Sequence, residues 1–440
     1  MIQRILILVT GLVYLAACES ADKPHVVEMK KFAESPNGAI ATAHPLATQV
    51  GLNILNQGGN AVDAAVAAGF ALSVVEPSMS GIGGRLQAIV RNPDGEIFGV
   101  DASTEAPISY DKATAVDAAY GYPIIGVPGV VAGLVKLHTE HGSMSFEDVV
   151  QPAIDLANDG YEVLPGAAIR FALVKDALME FPGTKEYFIK DDTSTYEAGS
   201  WLVQKDLAKT LQAIQQGGVE VFYRGEVGQK IVADMAANGG YVDSVSLAAY
   251  EAKNAEIVTG TYRGFDVFGL WLPSFGAIVM ESLNIMSYLP MDELSEAQWA
   301  SAVYQATRLA YNDRVTQLQN NAEYFLTMER ADSLAAQINI EAPDTVLVGN
   351  IDAAKPELLA LAGHGHTTHL SVADDRGRMV SLTQSLGPIM GSKVATQGLG
   401  FMYASTLGSY LGPFSPDPGQ RAISHISPTI VLKDGQPFMA

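Results

Sequence analysis

Two threonines stand side by side where a strand begins, and that strand constrains the rest of the chain. The stretch is His364-Gly365-His366-Thr367-Thr368-His369-Leu370-Ser371-Val372-Ala373-Asp374. From Thr368 to Val372 polar and apolar residues roughly alternate, the period of a half-buried strand. Asp374-Asp375-Arg376-Gly377 has turn chemistry, and Arg378 to Thr383 predicts the returning strand of a hairpin. A bare threonine pair is ordinary strand filling. A threonine that becomes a new N-terminus is different, because its hydroxyl, a poor nucleophile alone, gains the α-amine of the same residue as a base. That amine titrates near ~7.7–8.0, so much of it is in working form at neutral pH.

The chain has 440 residues, enough for one large domain or two or three modest ones. A hydrophobic content of 48% with 42 glycines fits a compact, turn-rich protein and argues against disorder. A net charge of -21 repels phosphates, so no nucleic-acid partner is expected. With one cysteine there is no internal disulfide framework and no cysteine-based metal cluster. Arg4 supplies a positive start, and Ile5 to Tyr14 is an apolar run too short to span a bilayer. Leu15-Ala16-Ala17-Cys18 then resembles the lipobox of bacterial lipoproteins, implying cleavage before Cys18 and a lipid on its sulfur. The alternative is an ordinary secretory signal with a chance cysteine.

Residues Ala43 to Gln57 predict a helix, with Leu46, Val50, Ile54 and Leu55 near one face. After Gly58-Gly59, Asn60 can cap a second helix with Asp63 in its first turn. Ala61 to Val75 is small and apolar, so this helix is expected to be buried on most sides until Pro77 stops it. The glycine-rich piece that follows is no phosphate loop, because it follows a helix and precedes a strand. Leu86 to Val90 and Ile97 to Val100 predict a hairpin around Asn92-Pro93-Asp94-Gly95. Helices are expected from Val130 to His141, from Gln151 to Gly160, from Ile278 onward and from Glu296 to Gln317. The middle, 167–248, is mostly helical in pattern and carries no recognisable chemistry.

Several strings in order resemble the γ-glutamyltransferase family of N-terminal-nucleophile hydrolases. They are Gly58-Gly59-Asn60-Ala61-Val62-Asp63-Ala64-Ala65-Val66-Ala67, Val75-Glu76-Pro77 and Ser80-Gly81-Ile82-Gly83-Gly84, then Gly126-Val127-Pro128-Gly129 and Gln151-Pro152-Ala153-Ile154-Asp155-Leu156-Ala157. Further on come Thr261 to Phe268, Leu272-Pro273-Ser274-Phe275-Gly276, Tyr311-Asn312-Asp313-Arg314, and the threonine hairpin with Val380-Ser381-Leu382-Thr383. The resemblance implies an α/β (α+β) fold, a four-layer αββα sandwich, cut by its own chemistry between His366 and Thr367. A signal at 1–18 and a tether at 19–42 would precede a large-subunit region at 43–366 and a small-subunit region at 367–440, which pair after processing.

By the same resemblance Thr367 is the nucleophile, Ser385 matches a threonine that supports it, and Ser424 matches a serine that holds the substrate's α-carboxylate. The departures are equally specific. The family's carboxylate-binding arginine falls at Ser103, its ammonium-binding acid near Ser409, its glutamine near Thr406 and its asparagine at Gly387. The second serine of its Ser-Ser pair is His425, and Arg85 stands where another glycine is usual. Arg85 either restores carboxylate binding from a new direction or is a surface arginine on a glycine turn. His364, His366 and His369 offer a His-x-His spacing, but no carboxylate completes a set, so no metal is expected. No organic cofactor is implied. The resemblance puts the Gly-Gly pair that supplies the oxyanion hole beyond Ala440, so the reading frame is expected to continue.

The expected function is a self-processing amidase or acyltransferase that cleaves γ-glutamyl or related acyl amides, with water, an amino acid or a dipeptide as acceptor. It is expected to be lipid-anchored outside the cytoplasm, on the periplasmic side. Two alternatives stay open: a cephalosporin-acylase-like hydrolase of dicarboxylic amides, and a catalytically silent binding lipoprotein that keeps the fold.

Overall fold

The computed structural model describes residues 34–35, 37–317, 320–341, 367–408, 411 and 415–440. Two antiparallel sheets organise it. The larger has seven strands in the spatial order Glu34–Ser35, Gly38–Thr42, Thr368–Asp374, Met379–Ser385, Arg85–Arg91, Ile97–Ala102 and Lys253–Ala255. The smaller has four, in the order Ile257–Tyr262, Phe265–Leu270, Ile430–Lys433 and Gln436–Met439. Their facing sides meet through Ile89, Leu270, Met379, Ile430 and Leu432. Helices cover the two outer sides, which makes the expected αββα sandwich.

On the outer face of the large sheet lies the helix Ala61–Val75, buried at every position. Alternate strand residues Leu370, Val372, Val380, Leu382, Leu86 and Ala88 pack against it in one core. Its start is fixed as expected, by a capping box in which Asn60 accepts from the Val62 and Asp63 amides and Asp63 returns to the Asn60 amide. Asp374 adds to that cap from the threonine hairpin, accepting the Ala61 amide at 3.1 Å. On the outer face of the small sheet sit Gly276–Met286 and Glu296–Thr316, joined through Phe275, Ile278, Ile285, Ala302 and Ala306.

Two expected boundaries need correction. The tether assigned to 19–42 ends sooner, because Gly38–Thr42 is a strand paired with Thr368–Asp374 and Ile40 is buried. The short Gly-Ala-Ile-Ala-Thr run buries mainly one side chain, too weak a pattern to read from sequence. The helix assigned from Gln151 begins at Phe146, because Ser145 caps it through the Asp148 amide at 3.1 Å and Pro152 is tolerated inside it.

Candidate active site

The threonine hairpin places the candidate site at the end of the large sheet. Thr368 pairs with Gln384, so one step along the ladder Thr367 stands opposite Ser385. Their hydroxyls are 2.9 Å apart, and Thr367 is exposed. Ser385 also accepts the Gly387 amide at 2.9 Å. Gly387, which stands where the family resemblance puts an asparagine, has φ 87, a conformation that suits glycine.

The row continues across the sheet. Ser385 pairs with Arg85. Leu86 pairs with Ala102, so the next step sets Arg85 opposite Ser103. Thr367, Ser385, Arg85 and Ser103 therefore lie in one line over four adjacent strands, on the face between the sheets. Neighbouring strands are about 4.8 Å apart. Arg85 thus sits one strand nearer Thr367 than Ser103, the position where the family's arginine was expected. It is no surface residue: it is 2% exposed, opens a strand, and donates from Nη2 to the Ser405 carbonyl. The glycines before it are needed for close approach. A Cβ on Gly84 would lie 2.6 Å from the Ser385 carbonyl oxygen, and one on Gly83 2.2 Å from that of Met402.

Ser103 does different work from an arginine. It is fully buried and donates its hydroxyl to the Ala422 carbonyl at 2.7 Å. Its own carbonyl accepts from Tyr250 and from Arg421, whose guanidinium also reaches Glu105 at 3.1 Å. This clamp lays the 421–426 segment along the site. There Ser424 is 8% exposed and its hydroxyl accepts the Ile426 amide at 3.4 Å. His425 is exposed, stacked on Tyr311 at 5.6 Å and met edge-on by Phe275 at 4.5 Å. Burial lowers its pKa, and the field of Arg85 lowers it further, so the imidazole is neutral near pH 7.

Thr406 is fully buried; its amide donates to the Ile124 carbonyl and its hydroxyl has no partner among the described residues. It follows Ser405, so it stands next to the group that Arg85 holds. His369 spends its ring nitrogens on Thr383 at 2.7 Å and on Ser371 at 3.2 Å. Ser409, His364, His366 and Cys18 lie outside the described residues. Sequence reasoning missed three residues of this region, Tyr311, Phe275 and Glu76, each present only inside a longer string.

A threonine at a sheet end, hydroxyl-bonded from the neighbouring strand and exposed between two sheets of an αββα sandwich, defines the class of N-terminal-nucleophile amide hydrolases. The comparisons narrow that class. The family model for gamma-glutamyltranspeptidase matches residues 47–440. A glutathione hydrolase proenzyme from Pseudomonas sp. (strain A14) is 33% identical, covering 92% of this chain and 75% of that one. An acylase ACY 1 proenzyme from Pseudomonas sp. (strain SE83) is 30% identical, covering 92% and 76%. The crystal structure of cephalosporin acylase from Bacillus halodurans superposes with a TM-score of 0.81 at 27% identity, covering 95% of this chain and 78% of that one. The chain belongs to the gamma-glutamyltranspeptidase family. It is an enzyme of the glutathione hydrolase and acylase type, a self-processing amidase or acyltransferase that works as two subunits from one precursor.

Proposed function

We propose that Thr367 is the residue through which this enzyme cuts both itself and its substrate, and that Arg85 receives the carboxylate of the substrate's acyl group. The observation that carries the reading is the single row Thr367–Ser385–Arg85 with the Thr367 and Ser385 hydroxyls 2.9 Å apart. In the precursor the Thr367 hydroxyl attacks the His366 carbonyl, the peptide nitrogen becomes an amine, and the resulting ester is opened by water. Afterwards the Thr367 oxygen attacks a substrate amide while its own amine takes the proton and passes it to the leaving amine. An acyl-enzyme ester remains, resolved by water or by an acceptor amine. Ser385, itself fixed by the Gly387 amide, steers the hydroxyl.

The acyl donor we propose is a γ-glutamyl or related acyl amide whose carboxylate lies toward Arg85, with Ser424, Ser103, Thr406 and His425 shaping the wall. Ser409 is kept as part of that wall by resemblance. A dicarboxylic acyl amide is the second reading, favoured by the placement of a buried guanidinium where no acid among the described wall residues answers an ammonium. We further propose a lipid anchor at Cys18 and a place outside the cytoplasm, in the bacterial envelope on the periplasmic side, supported by the lipobox-like sequence. Purified protein run on a denaturing gel tests the main reading. Two fragments whose smaller one begins at Thr367 support it, and an intact chain that still hydrolyses amides ends it. Mass spectrometry of the mature N-terminus tests the anchor.

A further inference from the structure

Behind the threonine pair, on the helix side of the sheet, lies a buried ionisable group that the reaction above does not use. Glu76 ends the Ala61–Val75 helix and is 8% exposed. Arg170, from the helix Pro165–Leu173, reaches its carboxylate at 3.5 Å and donates from Nε to the Ser78 hydroxyl at 2.8 Å. The Thr368 hydroxyl and Tyr161 face the same carboxyl. Thr368 is 1% exposed, and its hydroxyl, though near Glu76, makes no hydrogen bond among the described residues in this arrangement. His44, 3% exposed, lies edge-on to Tyr161 at 6.1 Å, and Arg170 is the charge it feels.

Charge is expensive in such a place. Burial pushes Glu76 up to about 7, while Arg170 and the Thr368 hydroxyl pull it down. Burial and Arg170 drop His44 to about 4, so its imidazole stays neutral while Glu76 titrates.

The turn that Glu76 opens touches the nucleophile by two routes. On one side is Thr368, the next residue after Thr367. On the other, the Met79 carbonyl accepts the Leu386 amide at 3.0 Å and the Ser78 carbonyl accepts the Met390 amide at 2.8 Å. Those amides fix the loop whose Gly387 donates to Ser385, the partner of the Thr367 hydroxyl. The Glu76 carbonyl itself accepts the Met79 and Ser80 amides, so the carboxyl and the turn move as one.

Resting on the reading of Thr367 as nucleophile, we propose that Glu76 is a positioning residue whose charge, shared with Arg170, sets the pose of Thr367 through Thr368 and through the Ser385 loop. Ionised, it holds Arg170 and offers an acceptor to the unpartnered Thr368 hydroxyl, which draws the strand entrance down. Protonated, it weakens its hold on Arg170, which keeps its bond to Ser78, and the entrance loosens.

The test is a pH profile. Wild-type and Glu76→Gln proteins are compared for self-cleavage on gels and for kcat/KM on γ-glutamyl p-nitroanilide between pH 5 and about 9. The expected result is a wild-type acid limb with two ionisations, one from Glu76 and one from the Thr367 amine. In Glu76→Gln the limb keeps only the amine, and the plateau falls several-fold with little change in KM. A profile and cleavage rate identical to wild type overturn the proposal. If Glu76→Gln does not fold, Arg170→Gln replaces it. Removing the cation that lowers Glu76 should move the acid limb to higher pH, and an unmoved limb overturns the idea. Thr367→Ala is run alongside. If it still cleaves itself, the nucleophile reading is at fault; if it is inert and Glu76→Gln is unchanged, only this inference is.

Discussion

The two ends of the site follow different rules. At the end proposed to carry the nucleophile, Thr367, Ser385 and the Gly387 amide form a short chain of hydrogen bonds on adjacent strands of one sheet. At the proposed recognition end, Arg85, Ser103, Thr406, Ser424 and His425 come from four separate segments, and most differ from what the family resemblance leads one to expect. Bond-making needs an oxygen and its base within hydrogen-bond reach, which leaves little freedom. Recognition of a carboxylate needs a cation at roughly the right place, and neighbouring strand positions are interchangeable to that accuracy. On the proposed reading, the carboxylate-binding arginine stands one strand along a row that the sheet keeps in register.

The largest expected effect tests the rigid end. Thr367→Ala should stay a single uncut chain and lose roughly 10⁴-fold or more of its amidase activity, as removal of a covalent nucleophile does elsewhere. A gel and a p-nitroanilide assay suffice. Residual processing would mean that the hydroxyl–hydroxyl pair is not the reacting element, and the contrast between the ends would collapse.

Next comes the moved arginine. Arg85→Met should raise KM for acyl groups bearing a free carboxylate by about 10–100-fold, the worth of one charged hydrogen bond, with kcat less affected. The sharper form is the swap. Arg85→Gly combined with Ser103→Arg should bind better than Arg85→Gly alone, because the new guanidinium rises beside the space the old one leaves. If the swap recovers nothing, position in the row is not what matters.

The rigid end was also the legible one. The hairpin from Thr368 to Ser385, the Asn60 cap and the buried Ala61–Val75 helix are local patterns, and sequence shows them. The row that joins Thr367 to Arg85 is not local. It depends on strands far apart in the chain, Arg85–Arg91 and Met379–Ser385, meeting in one register. Nothing within either strand fixes that register. Sequence therefore left Arg85 undecided between a turn and a binding role, although it marked the position as odd. Glu76 was hidden for a similar reason. It looked like part of a helix-stop signal, and its partner Arg170 lies in a segment that had offered no chemistry. Ser103 was visible as a loss, but its hydroxyl's use in holding Ala422 was not.

A smaller effect belongs to His425. Its lowered pKa keeps it neutral at pH 7. Protonation at lower pH would place a second positive charge beside Arg85. KM for a carboxylate-bearing acyl group should then fall a few-fold as pH drops through that ionisation, provided the substrate carboxylate stays ionised. His425→Ser should flatten the dependence while leaving self-cleavage intact. A His425→Ser enzyme with an unchanged KM profile would place the imidazole outside the acyl pocket.

The smallest expected effect on activity concerns the frame behind the recognition end. Phe275 and Tyr311, which hold His425, lie at the start of Gly276–Met286 and within Glu296–Thr316. Between these helices Glu281 is fully buried beside Asp313, which Arg330 engages from the other side. Burial, then the hydrogen bond and charge of Asp313, raise Glu281 well above its ordinary value of 4.5. The folded state therefore prefers the protonated acid. Its contribution is fully present below the unfolded pKa and is lost as pH rises from about 4.5 through the raised folded value. Urea melts of the wild type should show falling stability over that range. Glu281→Gln keeps a donor toward Asp313 without the titration, so its curve should be flatter and higher at pH 8, with kcat at pH 7 nearly unchanged. Parallel curves would show that the carboxyl pair does not govern how firmly the movable end is held.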